Sequence, residues 1–293
     1  MPADNNPYSE FYELANPEYV SAELLQACGY FDLDEIDAKT GKPKLMSTAD
    51  QQAEKLKFHI FARQNDNVQG TTTYCPANKE QLVRFFNNYN YTIYVPTNDQ
   101  VAAARAKGLM TWDEIYEWVK IRTNDYEEDL TEEDCAKART MITVLVNFVK
   151  YHFQDQSVFV DNVSATNQYQ TSCIDNVTNS YLSLNVIQTP SALSVVDRSG
   201  NQVDVVASEE NRNLLAREIC YNAAAASASY IKNSSYVVIH QIDGYLNFNS
   251  DEDYEGLCKD GDPNKKMPKG NFDFWNYGQP EELTSYVAKY RLR

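Results

Sequence analysis

The chain contains three histidines, and two of them lie where an imidazole could do chemistry. His152 follows a long helical pattern, and His240 lies inside the apolar run SYVVIHQIDGYLNF at 235–248. A hydrolytic site would pair either histidine with an acid such as Asp243 and a nucleophile such as Ser235 or a cysteine. The sequence contains no nucleophile elbow, no glycine-rich phosphate loop and no H-E-x-x-H motif. We therefore predict no catalytic residue and expect both histidines to be buried and hydrogen-bonded, as buried polar groups generally are.

Cysteines and acids are the other side chains that could bind a metal. The six cysteines form no C-x-x-C pair, so they do not predict a zinc site: Cys28, Cys75, Cys135, Cys173, Cys220 and Cys258. They are paired or free, and their spacing selects no disulfide connectivity. The segment DGDPN at 260–264 begins like a calcium loop, but Lys265 stands where such a loop requires glycine. We predict no metal and no cofactor.

Composition and charge limit the classes of partner. The 293 residues are 43% hydrophobic and 12% aromatic, which is sufficient for a substantial core. A net charge of −16 would repel phosphate backbones, so nucleic acid is excluded as a partner. Apolar stretches fall short of the roughly 18 residues that a membrane span needs, and no secretion signal follows Met1. We interpret the chain as a piece of a longer polypeptide whose export signal lies outside it.

The first half of the chain has helical patterns. A helix is predicted from Asn16 and Pro17 to about residue 33. The run Thr92–Val95 predicts a strand that turns at Pro96 into a helix capped by Thr97 and Gln100. Gly108 should end that helix. A second capping box, Thr111 with Glu114, begins a short helix, and a longer helix begins near Thr131; its predicted inward face is Ala138, Met141, Ile142, Leu145 and Val149.

The second half of the chain changes to the two-residue period of strands. Short strands are predicted at 157–160, 181–188, 192–197 and 202–207, with a hairpin turn at 198–201. Residues 208–233 predict a helical start followed by a stretch rich in small residues. The run at 235–248 predicts the last strands, broken by a tight turn at Asp243 and Gly244, with apolar residues on both faces.

Three stretches then stand in a particular order: YTIYVPTNDQV at 91–101, LVNFVKYHF at 145–153 and VVIHQIDGYL at 237–246. Together they resemble the signature of fasciclin-type domains: Pro-Thr-Asn after an early strand, Tyr-His at the end of a central helix, and a late strand reading aliphatic-His-x-Ile-Asp-Gly. The motif residues carried over are Pro96, Thr97, Asn98, Tyr151, His152, His240, Ile242, Asp243 and Gly244. The sequence departs from the pattern at Tyr94-Val95 and Gln100-Val101, which indicates local repacking.

The resemblance implies an α+β fold in which helices pack on a sandwich of short β-strands. It covers residues 11–248, with large insertions at about 36–88, 122–131 and 208–233 that should lie on the surface. Residues 249–293 would be a C-terminal extension or the start of a linker to a further domain. Insertions of this size are where binding properties inferred from a family fail to transfer.

The resemblance also implies a function, because proteins with such domains are typically found outside the cell. We expect a non-enzymatic adhesion or partner-binding module of a surface-attached protein, anchored at the outer membrane if the source is a bacterial lipoprotein. Its partners would be a protein or glycan at the cell surface and neighbouring domains of the same polypeptide. The alternative is a glycan-binding or scaffold component of a polysaccharide-capture system, since 21 tyrosines supply stacking surfaces. An enzyme of unknown reaction is the least favoured class.

Overall fold

The computed structural model describes residues 6–15, 24, 27–28, 31–36, 43–45, 66–68, 71–73, 90–160, 164–174, 180–221 and 231–248. Most of the predicted helix at 16–33 lies outside these ranges, although Leu24 and Ala27 within it are helical. The 249–293 extension also lies outside them. The N-terminal elements are helix α1, Ser9–Ala15, and two small antiparallel hairpins, β1 Phe31–Ile36 with β2 Pro43–Leu45 and β3 Asp66–Val68 with β4 Thr71–Thr73.

Three helices follow strand β5, Asn90–Val95. They are α2 Asn98–Ala106, α3 Trp112–Arg122 and α4 Glu132–Tyr151. Both predicted capping boxes are present, because the Thr97 and Thr111 backbone N–H groups donate to the Gln100 and Glu114 side chains at 2.6 and 2.8 Å. Gly108 follows α2 with φ of +105°, a left-handed conformation that suits glycine at the end of a helix.

The remaining strands form one curled, mixed sheet with β5. They are β6 Phe153–Asp155, β7 Ala165–Ile174, β8 Tyr181–Gln188, β9 Leu193–Val196, β10 Gln202–Asp204, β11 Leu214–Tyr221 and β12 Ile231–Gln241. The order across the eight strands is β10-β9-β8-β7-β6-β5-β12-β11. Only β12 and β5 pair in parallel. The structure therefore confirms the α+β class, with a continuous sheet in place of the predicted sandwich.

The sheet curls far enough for one of its edge strands, β10, to meet the chain that leaves β12, the strand beside the opposite edge. Val205, just after β10, forms an isolated bridge with Ile242, just after β12. The Val206 N–H also donates to the Gln241 carbonyl at 3.0 Å, and the Asp243 N–H donates to the Asp204 carbonyl at 2.9 Å. These bonds fix the chain after β12 against the β9–β10 hairpin.

Helix α4 lies at the centre of the core. All five residues of its predicted inward face are fully buried: Ala138, Met141, Ile142, Leu145 and Val149. Alternate residues of β8 and β9 are buried beside it, as the period-two pattern predicts. Within the described residues, no helix combines the length and apolar character needed to cross a bilayer.

Two predicted elements are wrong. Residues 157–160 form no strand, because Gln156 adopts φ of +63° and the Val158 N–H bonds the Thr92 hydroxyl in place of a strand ladder. The predicted helical start at 208 is a single 3-10 turn, Glu209–Asn211, and the chain then enters β11. Pairing with β12 along almost its whole length supplies the backbone bonds of β11, and part of this predicted surface insertion is therefore a strand of the main sheet.

The close contact between Gly244, in the chain after β12, and Val203, in β10, generates a stability prediction. A Cβ on Gly244 would lie 3.1 and 3.2 Å from the two methyl carbons of Val203, which is itself buried. Gly244→Ala should therefore lower the free energy of unfolding by roughly 1–3 kcal/mol through overpacking. Chemical denaturation measures the change.

The matched control is the double variant with Val203→Ala, which removes the two methyl carbons that the new Cβ would meet. Its loss should be smaller than the sum of the two single losses, because the clash is relieved. Additive losses would show that Gly244 is not there to make room for Val203.

Candidate functional site

The first motif segment joins β5 to α2 and fixes the N-terminal helix. Pro96 is buried at the turn. The Asn98 side chain accepts a hydrogen bond from the Glu10 N–H at 3.1 Å and donates to the Asn6 carbonyl and the Ser9 hydroxyl at 3.0 and 3.1 Å. Its three bonds all go to residues of the N-terminal segment, so Asn98 holds α1 beside α2.

The second motif segment ends α4 with two fully buried side chains. The Tyr151 hydroxyl donates to the Ser183 carbonyl at 2.9 Å and accepts from the Arg198 N–H at 3.0 Å. Burial raises the pKa of this hydroxyl well above its ordinary value, so Tyr151 stays neutral. It ties the helix end to β8 and to the β9–β10 turn.

His152 uses both ring nitrogens on backbone groups. Nδ1 lies 2.8 Å from the Phe148 carbonyl, to which it must donate, and Nε2 accepts from the Leu246 N–H at 3.1 Å. These partners define a neutral imidazole protonated on Nδ1. The centroid of the His152 ring lies 4.6 Å from that of Phe148 and 5.3 Å from that of Phe11. Burial lowers the pKa of His152 to about 4.

His240, in the third segment, has the opposite tautomer. Its Nε2 donates to the Val158 carbonyl at 2.8 Å, and its Nδ1 accepts from the Asn213 N–H at 3.1 Å. The ring is fully buried and stacks on Tyr94 with centroids 6.1 Å apart, and burial lowers its pKa. The expectation that His152 and His240 are buried and hydrogen-bonded is confirmed.

The acid of the hypothetical catalytic pair bonds elsewhere. The exposed Asp243 accepts a hydrogen bond from the Asp204 N–H at 2.8 Å, where the chain after β12 meets β10. Ile242, fully buried beside it, donates its N–H to the Val95 carbonyl at 3.2 Å. All four ring nitrogens of His152 and His240 contact backbone atoms, so these side chains form no histidine–carboxylate pair. The side chain of Ser235 lies outside the described part.

The described cysteines are thiols: Cys28, Cys135 and Cys173. Burial raises the pKa of Cys28 to about 12, so its thiol is a poor nucleophile at neutral pH. The other three cysteine side chains lie outside the described part. Within that part, no group of three or more histidine, cysteine, aspartate or glutamate side chains could hold a metal ion.

Sequence reasoning missed a buried carboxylate that joins the β9–β10 turn to the chain after β12. Asp197 is 4% exposed and accepts three hydrogen bonds, from the Ser199 hydroxyl at 2.7 Å and the Asn201 and Asn247 N–H groups at 3.0 and 2.9 Å. Burial raises its pKa, although these bonds oppose the shift. An aspartate just before Arg-Ser-Gly-Asn is typical of a turn, but no local pattern indicated the long-range bond to Asn247.

A cleft of about 550 Å³ lies between helix α2, the β9–β10 turn and the segment after β12. It is the candidate site, because the first and third motif segments both reach it. Its lining combines amide, hydroxyl, charged and aromatic groups from Gln100, Ala103, Lys107, Asp197, Ser199, Gly200, Asn201, Asp243, Gly244, Tyr245 and Asn247. Amide, hydroxyl and aromatic groups of this kind can bind a polar ligand.

Comparisons with known proteins give a weak likeness to a solved structure. No protein-family model matches the chain, and no curated protein matches its sequence. Among solved structures, the chain is similar to a FAS1 domain pair from the insect cell adhesion molecule fasciclin I, at 16% identity and a TM-score of 0.25. The match spans 54% of this chain and 37% of that one. A likeness of this size carries no structural argument, so the α+β architecture is defined by the strands and helices themselves.

The buried imidazole of His152 generates a prediction about pH. Its folded-state pKa of about 4 lies below the ordinary value of 6.5, so the unfolded chain binds the proton more readily. The stability that depends on neutral His152 is therefore fully present above pH 6.5, and it is lost as the pH falls towards 4. The loss amounts to about 3 kcal/mol. Urea unfolding at several pH values measures it.

The control is His152→Gln, in which a side chain without a titrating group replaces the imidazole. Between pH 6.5 and 4.5 its unfolding free energy should fall less steeply than that of the wild type. Equal slopes would contradict the account. If the variant does not fold, an NMR titration of wild-type His152 decides the question, because the ring should remain neutral at pH 5.5.

Proposed function

We propose that this chain is a non-enzymatic module of an extracellular, surface-attached protein and that it mediates adhesion by binding a protein partner. The resemblance of its three motif segments to fasciclin-type domains supports the class of function. The histidines of those segments bond backbone groups on both ring nitrogens, which supports a role in architecture over a role in catalysis. A separate observation identifies the surface that we propose for binding the protein partner.

That observation is the edge strand β11. It pairs with β12 on one side, and no strand within the described residues pairs with its other side. Leu214 and Leu215, its first residues, are 43% and 58% exposed. Because consecutive strand residues point to opposite faces of a sheet, neither face is covered at this end of β11. Exposed apolar side chains on an open edge are characteristic of a binding strand.

A third apolar side chain flanks the same place. Asn213, just before β11, bonds both the N–H and the carbonyl of Val160 at 2.8 and 2.9 Å, which holds the neighbouring Phe159 close to the strand. Phe159 is 38% exposed. The surface formed by Phe159, Leu214 and Leu215 is here called the β11 surface.

The β11 surface fits an extended protein segment with alternating apolar residues. Such a segment would extend the sheet by backbone hydrogen bonds and would cover the exposed leucines with its own side chains. A polypeptide can match the repeated N–H and C=O groups of an open strand edge with a ladder of its own, which a sugar cannot do. The partner we propose is therefore an extended segment of a surface protein, on a neighbouring domain or on another molecule.

Glycan binding is the second candidate, as a direct binder or as a scaffold in a polysaccharide-capture system, and the polar cleft favours it. An enzyme of unknown reaction has no observation in its favour. Anchorage to an outer membrane would follow from a bacterial lipoprotein origin, and it stays a proposal.

Leu215→Asp tests the proposed surface. The labelled chain is bound to intact cells of its source, and the affinity should fall about tenfold, because a charge replaces an apolar anchor at a strand edge. Treating the cells with protease should abolish binding, whereas oxidising their glycans with periodate should leave it intact.

The matched control is Ile121→Asp, since Ile121 is 44% exposed at the end of α3 and lies outside the β11 surface. It should bind as the wild type does, and thermal unfolding should be cooperative for both variants. Equal binding by the two variants, or binding lost to periodate and retained after protease, would contradict the proposal.

A further inference from the structure

We propose that the cleft between α2, the β9–β10 turn and residues 243–247 binds a neutral saccharide. This inference concerns residues that the β11 surface does not include, and it does not depend on that surface. It gives the second candidate function a site and a class of ligand.

The walls of the cleft are held together before any ligand arrives. Asp197 accepts from Asn201 on one wall and from Asn247 on the other, so a single buried carboxylate sets their spacing. The Leu246 N–H bonds His152, and the Asp243 N–H and carboxylate bond Asp204. A preformed site avoids the entropy of ordering loops on binding, which favours a weakly interacting ligand such as a sugar.

Helix α2 forms the third wall of the cleft. Gln100 and Ala103 are three residues apart, so they lie on one face of the helix, and Lys107 follows directly after its last residue. Ala103 is exposed and small, and it leaves room between the two longer side chains. The volume of about 550 Å³ is in the range of small-molecule sites.

The lining is suited to hydroxyl groups. Asn201 and Asn247 carry amides. The Gln100 oxygen accepts from the Thr97 N–H and the Ser199 hydroxyl donates to Asp197, so Gln100 presents its NH2 donor to the cleft and Ser199 its oxygen as an acceptor. Sugar hydroxyls also donate and accept, so the two sets match in kind. Tyr245 adds an aromatic ring, which can pack against the C–H face of a sugar.

The charges of the lining select against anionic ligands. Lys107 is the single cation among the lining residues, and the carboxylate of Asp243 is exposed at the same cleft. The whole chain carries a net charge of −16, which would repel a phosphorylated or sulfated ligand. A neutral saccharide meets no such repulsion.

Ala103→Trp and Ala102→Trp form a matched pair for the test. Both residues are exposed on α2, but only Ala103 lines the cleft, so an indole at 103 fills the site and an indole at 102 does not. The wild type is screened on an array of neutral and acidic oligosaccharides, and the neutral oligosaccharide that it retains most strongly is then titrated calorimetrically. We expect Ala103→Trp to weaken binding at least about tenfold and Ala102→Trp to change it less than twofold.

Retention of acidic oligosaccharides alone, retention of none, or equal affinities for the two variants would overturn the proposal. Leu215→Asp should bind the sugar as the wild type does, because the β11 surface lies apart from the cleft. Cell binding by this variant tests the β11 surface and sugar binding tests the cleft, so the failure of either proposal is seen separately from the failure of the other.

Discussion

The last described segment of the chain depends on a buried imidazole at the end of the long helix. His152 caps α4, its carbonyl accepts from the Tyr94 N–H in β5 at 2.9 Å, and its ring accepts from the Leu246 N–H after β12. One residue therefore joins the helix, the middle of the sheet and the chain that follows its last strand. A buried polar group without a partner costs about 1–3 kcal/mol, so the three elements must keep this arrangement or lose stability.

A second buried group, Asp197, holds the residue that follows Leu246 in the same segment. By accepting from Asn247 and from its own turn, it fixes the segment after β12 against the β9–β10 hairpin. The bonds of His152 and Asp197 also explain why the site is suited to binding. They hold the walls of the cleft at a fixed spacing, so its amide and hydroxyl groups are in place before a ligand binds.

Sequence reasoning succeeded where the determinants are local. A capping box depends on residues three apart, and both capping boxes were predicted correctly. The buried face of α4 follows from the helical period of its apolar residues, and β8 follows from the alternation of apolar and polar residues. The burial of His240 was predictable because apolar residues surround it in the chain. Reasoning failed where a distant partner decides. Val158 bonds Thr92 and forms no strand, and β11 exists through its ladder with β12. The largely polar strand β7 was overlooked because none of its residues from 165 to 170 is buried, so no apolar alternation marks it. The cleft was not predictable, since its three walls come from distant parts of the sequence, 100–107, 197–201 and 243–247, and Asp197 joins the last two through a bond to Asn247, 50 residues away.

Amide hydrogen exchange at Leu246 and Asn247 tests the central claim most directly. Neither residue lies in a helix or strand, so their protection depends on His152 and Asp197. We predict that both amides exchange as slowly as those in the middle of α4, because opening them requires breaking buried bonds that join several elements. Exchange at the rate of an unprotected loop would contradict the account.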